Sequence, residues 1–366
     1  MALSSEELVV VSHLRWVYVW QRPQQLISRI GRGRRTWFVE EPWATVVGPP
    51  TLRTEEQPPV TRVWLDVHGE PQWHVPFDDP RAEGYVEDLL ELLGLSPGRT
   101  VWLYTPMALH IAHALEPALL VYDVMDDLAA FAKAPPELAE RHRQVLEEAD
   151  VVFTGGRSLH RAVSAVRPDA HLFPSGVDAR HYAAARRRKR DSGRPVAGYV
   201  GVIDERLDLE LIATLAAALP AWEIRMVGPV IEKIDRESVP RAPNIVYLGK
   251  QPYERLPELM AEFDVALMPF ALNEATRSIN PTKTLEYLAA GLPVVSTRVP
   301  DVVADYADFV TLADDGEAFA AACQQAIAED AGERAERVQP LLDRLDWDAI
   351  AARMEAILRE TAATRA

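Results

Sequence analysis

The sequence has little cysteine and little lysine, and it lacks any long hydrophobic run. Cys323 is the single cysteine among 366 residues, so neither a disulfide nor a cysteine-based metal site can form within one chain. No apolar run approaches the roughly 18 residues of a membrane-spanning helix. The amino terminus has no basic segment before its short apolar run, Leu8 to Val11, which predicts a first β-strand rather than a signal peptide. These absences together predict a cytoplasmic protein.

Net positive charge is also lacking. The formal charge is -16, which argues against nucleic acid as a partner, because phosphate backbones bind cationic surfaces. It argues equally against a broad contact with anionic membranes. The one basic run, residues 186–190, could touch lipid headgroups locally, but we favour a solvated linker. With 48% hydrophobic residues, the chain is long enough for two domains that each have a core.

Short apolar runs alternate with helical patterns along the whole chain, which predicts an α/β protein with parallel sheets. In the first half we expect strands at 8–12, 36–40, 101–104, 119–123 and 151–154 and helices at 22–31, 82–93 and 136–149. Residues 42–80 are predicted to be irregular, with a hairpin near 62–67. In the second half we expect strands at 196–200, 223–227, 245–248, 265–269, 294–297 and 309–312 and helices at 207–219, 253–262, 282–290 and 317–329.

This pattern divides the chain into two α/β units. We place an amino-terminal domain at 1–182, a linker at 183–195 and a carboxyl-terminal domain at 196–346. Residues 347–366 have apolar side chains at helical spacing, and we expect them to pack back on the first domain. Two such domains leave a cleft at the carboxyl ends of their strands, where ligands bind.

The stretch from Phe270 to Thr297 carries the clearest chemical pattern. A loop with Arg277, Asn280 and Lys283 leads into a short helix that carries Glu286. Cations in a loop before a helix start form a site for phosphates, and a carboxylate one turn into the helix can accept hydrogen bonds from the hydroxyls of a ribose. The chain has five lysines beside 34 arginines, so a lysine at this place is less expected by chance. Solvated charges at a helix start are the alternative.

Several segments together resemble the GT-B glycosyltransferases, most closely the family-4 retaining type, also called glycosyl transferases group 1. The most specific match is Asn280-Pro-Thr-Lys-Thr-Leu-Glu-Tyr-Leu-Ala-Ala-Gly-Leu-Pro-Val-Val. Further matches are Val196-Ala-Gly-Tyr-Val-Gly-Val-Ile-Asp-Glu-Arg, Arg225-Met-Val-Gly-Pro and Asn244-Ile-Val-Tyr-Leu-Gly-Lys-Gln-Pro-Tyr. In the first half, Trp16-Val-Tyr-Val-Trp-Gln-Arg-Pro-Gln-Gln-Leu is similar to a subgroup that acts in cell-surface polysaccharide assembly. The resemblance implies two Rossmann-like domains that face each other across a cleft.

The resemblance also implies a nucleotide-diphosphate sugar as donor, UDP- or GDP-linked, and assigns roles to single residues. Lys283 is expected to face the diphosphate, with Arg206 as a second cation assisted by the dipole of the helix at 207–219. A plain surface arginine is the alternative for Arg206. Glu286 is expected to bind the ribose hydroxyls, and Tyr253 could pack near the base, although we favour a helix start that packs inward. The other donor-binding positions are Gly201 in the phosphate-side loop, Gly228 in the next turn, Leu248 at the base, and Asn280 and Ser278 in the sugar loop.

The sugar loop departs from the family pattern. The family has two glutamates separated by seven residues, of which Glu286 is the second, but Ser278 stands where the first glutamate would meet the donor sugar. Glu274 could substitute only from a differently shaped loop. Polar alternatives in the same loop are Asn273, Arg277 and Asn280. The departure leaves the identity of the donor sugar open.

The acceptor is expected on the first domain, at the carboxyl end of the strand at 119–123. Many relatives carry a histidine-aspartate pair there, whereas this chain has Met125 at the histidine position, followed by Asp126 and Asp127. We expect Asp126 to be the catalytic residue that orients an acceptor hydroxyl, unless it caps the following helix. An Asp-Asp pair also fits a metal-dependent transferase of the other major fold, but the nucleotide features here lie in the second half. Further candidates in this cleft are His13, His110, Trp16 and Trp20.

The main hypothesis is a glycosyltransferase that moves a sugar, with retention, to a glycan or lipid-linked acceptor in cell-surface polysaccharide assembly. Lys283 and Arg206 would stabilise the leaving diphosphate. No tightly bound cofactor and no metal is required, since the sequence has no clustered His/Cys ligand set. The alternatives are a nucleotide-sugar epimerase acting through Asp126 and His13, and a non-catalytic subunit that binds a sugar nucleotide or glycan. A lipid-linked acceptor would add peripheral contact with the inner face of the plasma membrane.

Overall fold

The structure, a computed structural model, describes residues 7–45, 48–71, 75–96, 98–130, 134–187, 193–231 and 237–365. Part of the basic run at 186–190 therefore lies outside the described residues. None of the helices in the described ranges has the length and apolarity that crossing a bilayer requires.

The amino-terminal half is built on a nine-stranded sheet. Its strands are β1 (Leu8–Ser12), β2 (Thr36–Glu40), β3 (Trp43–Thr45), β4 (Thr51–Gln57), β5 (Val60–His68), β6 (Thr100–Leu103), β7 (Leu119–Val124), β8 (Val151–Thr154) and β9 (His171–Leu172). The order is β3-β5-β2-β1-β6-β7-β8-β9, with parallel neighbours, and β4 pairs antiparallel with β5. The helices are α1 (Arg22–Ile30), α2 (Tyr85–Leu93), α3 (Leu109–Ala114), α4 (Leu138–Glu148), α5 (Arg157–Ser164) and α6 (Ala179–Tyr182).

The carboxyl-terminal half is built on a six-stranded parallel sheet. Its strands are β10 (Val196–Val200), β11 (Glu223–Val227), β12 (Ile245–Gly249), β13 (Val265–Met268), β14 (Val294–Ser296) and β15 (Thr311–Leu312), in the order β12-β11-β10-β13-β14-β15. The helices are α7 (Leu209–Ala218), α8 (Leu256–Met260), α9 (Lys283–Ala289), α10 (Pro300–Tyr306), α11 (Gly316–Ala326), α12 (Ala331–Arg344) and α13 (Trp347–Arg365). The predicted α/β class with parallel sheets is confirmed. In both sheets the strand order reverses beside the first strand, which opens a crevice at the carboxyl ends.

The strands are buried because both faces of each sheet are covered. β1 and β10 are buried along their whole length, as apolar runs in parallel sheets must be. One apolar cluster fills the second half, and two clusters cover the faces of the first sheet. Trp347, Ile350 and Met354 of α13 belong to a cluster of the first half, while Tyr182 belongs to the core of the second. The chain therefore crosses between the halves twice.

The two crossover segments are paired with each other. The backbone N–H of Val177 donates to the carbonyl of Leu345 at 2.8 Å, and the N–H of Trp347 donates back to the Val177 carbonyl at 3.4 Å. Gly176 allows this close approach, since a Cβ there would lie 2.9 Å from the Leu345 oxygen. The carboxyl-terminal helix thus starts where the first crossover begins.

Three predicted helices differ from the observed ones for local reasons. The segment predicted at 82–93 is a 3-10 turn followed by α2, because Gly84 between them has φ 88°. The helix predicted at 207–219 begins later, at α7, where Asp208 accepts a hydrogen bond from the Leu211 N–H at 2.8 Å and caps the first turn. The helix predicted at 253–262 is a 3-10 turn at Tyr253–Arg255 followed by the short α8, which has proline in its first turn.

Candidate functional site

A cleft of about 300 Å³ lies between the halves at the carboxyl ends of β10, β11 and β12. It is lined by residues 16–20 and Gln57 of the first half and by residues 200–202, 227–229, 250–254 and Leu256 of the second. The loop between β1 and α1 therefore covers a surface formed by three strand ends. This is the crevice that the topology of an open α/β sheet provides for a ligand.

Two glycines shape the strand ends on the floor of the cleft. Gly201 has φ 153° and Gly228 has φ 143°, conformations that other residues rarely adopt. A Cβ at Gly228 would lie 1.9 Å from the Gly201 oxygen, so these two loops touch through their backbones. A Cβ at Gly201 would lie 2.8 Å from Cε of Lys283. Both predicted positions are therefore needed to bring the backbone, and the lysine, close to the cleft.

Lys283 is a half-buried cation beside Gly201, at the edge of the cleft. Its Nζ lies 5.6 Å from the Tyr199 ring centre and 5.5 Å from that of Phe270, which are cation-π distances. Burial, followed by the charge of Arg206, lowers the pKa of Lys283 to about 8, against the opposing effect of nearby carboxylates. A lysine held in this way is strongly attracted to any anion that enters.

Arg206 forms an ion pair with Asp204. Its Nε lies 2.9 and 3.0 Å from the two carboxylate oxygens, and its backbone N–H donates to one of them at 3.0 Å. The arginine side chain is 26% exposed and that of Asp204 is 7% exposed. Because Asp208 already caps α7, the dipole of that helix is less open to a phosphate than expected. The guanidinium is instead oriented by Asp204.

Glu286 lies one turn into α9, on the side of Lys283. Burial raises the pKa of Glu286, while the charge of Lys283 and the hydroxyl of Tyr182 act in the opposite direction. Tyr182 is 1% exposed, so its hydroxyl is a fixed partner of the carboxyl group. Thr282 also hydrogen-bonds to this carboxyl group. Because a carboxylate has about four acceptor sites in all, some remain for the hydroxyls of a ligand.

Asp126 is a carboxylate of the first half that interacts electrostatically with Arg206 and Lys283. It follows β7, and burial raises its pKa to about 6. Arg206 is its largest opposing charge, Asp204 adds repulsion, and Lys283 adds further attraction. The structure thus places Asp126, Arg206 and Lys283 within electrostatic range of one another. Within the described residues, no group of three or more His, Cys, Asp or Glu side chains is arranged to hold a metal.

The sugar loop is partly occupied with its own contacts. Asn273 caps a 3-10 turn at Glu274–Thr276 by accepting from the Thr276 N–H at 3.1 Å. Glu274 pairs with Arg277, and both side chains are 66% exposed. Glu274 is therefore on the surface and does not replace the carboxylate missing at Ser278, which is itself half-buried.

Asn280 lies where the two halves touch. Its backbone carbonyl accepts a bond from Ser175 Oγ at 3.4 Å, and a Cβ at Gly156 would lie 3.0 Å from its Cβ. Beside it, Asp301 is 1% exposed and accepts hydrogen bonds from the backbone and the hydroxyl of Ser158, at 3.0 and 2.6 Å. These contacts make Asn280 part of the boundary between halves, as well as a neighbour of Lys283 in sequence.

The base side of the cleft is framed by aromatic residues. Tyr253 stacks on His181 with ring centres 4.1 Å apart and 7° between planes, and its ring lies 5.4 Å from that of Trp20. Tyr253 lines the cleft, which differs from the inward-packing helix start that the sequence favoured. The carbonyl of Leu248 accepts from the Gln251 amide at 2.8 Å, so one of its two acceptor sites is already used.

The other candidates of the first half have structural contacts. Trp16 is 6% exposed and packs on Phe38, with ring centres 5.0 Å apart. The backbone N–H of Trp16 donates to the Glu40 carboxylate at 2.9 Å, so the loop that covers the cleft is held in place. His110 lies in α3, and burial lowers its pKa. His13 follows β1 and is half-buried.

Three residues that shape the site were not found from the sequence. Asp204 orients Arg206, Tyr182 contacts Glu286, and Gln25 bonds to Tyr253 at 3.1 Å. The spacing of Asp204 two residues before Arg206 was a usable pattern, because an Asx side chain often binds the backbone N–H two residues on. The other two act over long sequence separations, which no local pattern records.

Comparison with known proteins gives a family match in the second half of the chain. Residues 194–329 match the family model described as "Glycosyl transferases group 1", and this segment contains Gly201, Arg206, Lys283 and Glu286. The chain is 26% identical over 255 residues to TuaH of Bacillus subtilis (strain 168), a protein provisionally described as a glycosyltransferase of teichuronic acid biosynthesis. The alignment covers 63% of this chain and 64% of that protein, which is less than two thirds of either. The predicted resemblance to group 1 glycosyltransferases is confirmed.

Solved structures share the architecture over nearly the whole chain. Sucrose-phosphate synthase from Thermosynechococcus elongatus has a TM-score of 0.70 at 15% identity, covering 98% of this chain and 100% of that one. A structure described as "Trehalose-6-phosphate from E. coli bound with UDP-2-fluoro glucose" has a TM-score of 0.66 at 14% identity, covering 97% of this chain and 99% of that one. An α,α-trehalose-phosphate synthase from Burkholderia xenovorans in complex with glucose-6-phosphate has a TM-score of 0.71 at 14% identity, with the same coverage. The fold is GT-B, as predicted.

Proposed function

We propose that this chain is a glycosyltransferase that takes a sugar from a UDP- or GDP-linked donor and passes it, with retention, to a glycan or lipid-linked acceptor. The observation that carries the proposal is the pair of cations of the second half, Lys283 and Arg206, which lie within electrostatic range of Asp126 from the first half. The matching family segment and the likeness to TuaH support a place in cell-surface polysaccharide assembly. A lipid-linked acceptor would bring the protein to the inner face of the plasma membrane.

The chemistry follows from the charges. When the bond between the sugar carbon and the donor phosphate breaks, negative charge grows on the leaving diphosphate. Lys283 and Arg206 stabilise this charge, and their partial burial strengthens the effect because it reduces screening by water. Glu286 accepts hydrogen bonds from the ribose hydroxyls. Asp126 orients the acceptor hydroxyl, whose oxygen forms the new bond to the sugar carbon while its proton passes to an oxygen of the leaving diphosphate.

Nucleotide binding tests the donor half of the proposal. We expect UDP or GDP, out of UDP, GDP, ADP and TDP, to bind the wild type in calorimetry, and Lys283→Ala to weaken this binding by about tenfold or more, as for a lost charge-assisted hydrogen bond. Lys250→Ala is the matched control, because Lys250 also lines the cleft but donates to the Val17 carbonyl at 3.2 Å. An equal loss in both variants, or no binding to the wild type, contradicts the assignment.

A product assay tests the transfer half. A donor labelled in its sugar should yield a labelled acceptor glycan and free nucleoside diphosphate. A labelled donor that changes only its sugar stereochemistry would identify an epimerase instead. The second candidate, a non-catalytic binding subunit, is motivated by Ser278, since the loop has no buried carboxylate for the donor sugar and Glu274 is 66% exposed. A donor that binds tightly and is recovered unchanged with every acceptor would favour that role.

A further inference from the structure

One contact between the halves reaches the proposed nucleotide site directly. Gln25 of α1 donates from Nε2 to the hydroxyl of Tyr253 at 3.1 Å. Tyr253 belongs to the turn that follows β12, and it lines the cleft. A residue of the first half is therefore bonded to a cleft residue of the second.

Tyr253 is linked in turn to Glu286. The Tyr182 ring meets the Tyr253 ring edge-on, with centres 6.1 Å apart, and the Tyr182 hydroxyl interacts with both Tyr253 and Glu286. The Tyr253 ring is also fixed by its parallel stack on His181. In addition, His181 Nε2 bonds to the backbone carbonyl of Tyr253 at 3.1 Å. The two tyrosines thus form a short bridge from the first half to the carboxyl group expected to bind ribose.

Gln25 has its orientation fixed by its own neighbours. It is 5% exposed, and Arg29 donates to both its backbone carbonyl and its side-chain Oε1 at 2.8 Å. With Oε1 bonded to a cation, the amide nitrogen must face the opposite way, toward Tyr253. Arg29 also pairs with Asp348 of α13 and lies 4.0 Å from Asp178, which caps α6, the helix that carries Tyr182. The same group of side chains therefore holds Gln25 against the crossover segment.

We propose that Gln25 is a positioning residue that orients the Glu286 carboxylate toward the 2′- and 3′-hydroxyls of the donor ribose. It acts through the two tyrosines and does not touch the ribose itself. The ribose site is then complete only while α1 is docked on the second half. This inference rests on the proposed function, because it assumes a nucleoside diphosphate at Glu286.

The test compares ribose with deoxyribose. Calorimetry with UDP and GDP and with their 2′-deoxy forms gives the preference of each variant for the 2′-hydroxyl. In the wild type we expect a preference of about tenfold or more, since a hydroxyl bonded to a charged carboxylate is lost in the deoxy form. Gln25→Leu and Tyr253→Phe should each reduce this preference to about twofold. Tyr253→Phe removes the bond to Gln25 and also the interaction with the Tyr182 hydroxyl, so the double variant should be no worse than Tyr253→Phe alone.

The controls separate positioning from general loosening. Ser158→Ala breaks a different contact between the halves, the bond to Asp301, and should leave the preference for ribose unchanged. Tyr253→Phe keeps the ring that stacks on His181, so it decides the matter if Gln25→Leu does not fold. A loss of affinity that is equal for the ribose and the deoxyribose forms would overturn the positioning role without contradicting the proposed function. A wild type that binds neither UDP nor GDP overturns the proposed function as well.

Discussion

Replacing Asp126 by asparagine should stabilise the protein and slow its reaction. Burial, partly offset by the charge of Arg206, raises the pKa of Asp126 from 3.8 to about 6. The folded state therefore holds this proton more tightly than the unfolded state does. An acid of this kind lowers stability as pH rises above 3.8, and the loss is complete above about 6.

The magnitude follows from the two pKa values. The difference between 3.8 and about 6 corresponds to about 3 kcal/mol at pH values above both. Asp126→Asn cannot ionise, so it should be more stable than the wild type by up to about 3 kcal/mol near pH 8 and by roughly half of that near pH 5. Turnover should fall by about 100-fold if the carboxylate orients the acceptor.

Urea denaturation at the two pH values, with a transfer assay beside it, measures both effects. Asp127→Asn is the matched control, because Asp127 is the exposed neighbour and should change the stability little at either pH. A variant that is less stable than the wild type near pH 8, or a stability difference that does not depend on pH, would refute the reasoning. It would mean that favourable contacts, not a buried charge, dominate at Asp126.

Two further predictions concern Lys283 and its neighbour Gly201. Because burial lowers the pKa of Lys283 to about 8, the nucleotide affinity measured by calorimetry should fall as the pH rises above about 8. Lys283→Arg stays charged and should remove this fall. If the affinity of that variant falls in the same way, another group causes the pH dependence. Gly201→Ala should weaken nucleotide binding by roughly tenfold, since its Cβ would lie 2.8 Å from Lys283 Cε. Gly249→Ala is the control, because it adds backbone strain at φ 65° without any neighbour within 4 Å; equal effects on binding would exclude the clash.

The buried strands could be predicted from the sequence because burial on both faces leaves an apolar run. β1, β2 and β10 have the expected bounds. β4 could not be found in the same way, because most of its residues are exposed and polar. The hairpin was indicated only by the apolar residues of its partner strand, β5. Helix bounds shifted where a cap or a proline decided them, as at Asp208. Local sequence therefore describes the cores better than the turns.

The candidate site contains some residues that local sequence could indicate and others that it could not. Lys283 and Glu286 could be predicted because they lie within one turn of a short helix, and the family pattern is continuous there. Asp126 required the assumption that two domains face each other. Gln25 could not be predicted, because its partner Tyr253 is 228 residues away in the chain. What remained hidden was the set of contacts that only the assembled halves create.

The paired crossovers limit how the protein can open. Val177 and Trp347 are bonded to each other, so the two connections between the halves form a single seam rather than two separate tethers. Such a seam can serve as a hinge about which the two halves rotate. Opening would then break the bonds from Tyr253 to Gln25 and from Asp301 to Ser158. The angle of this hinge would therefore set how far the cleft between the halves opens.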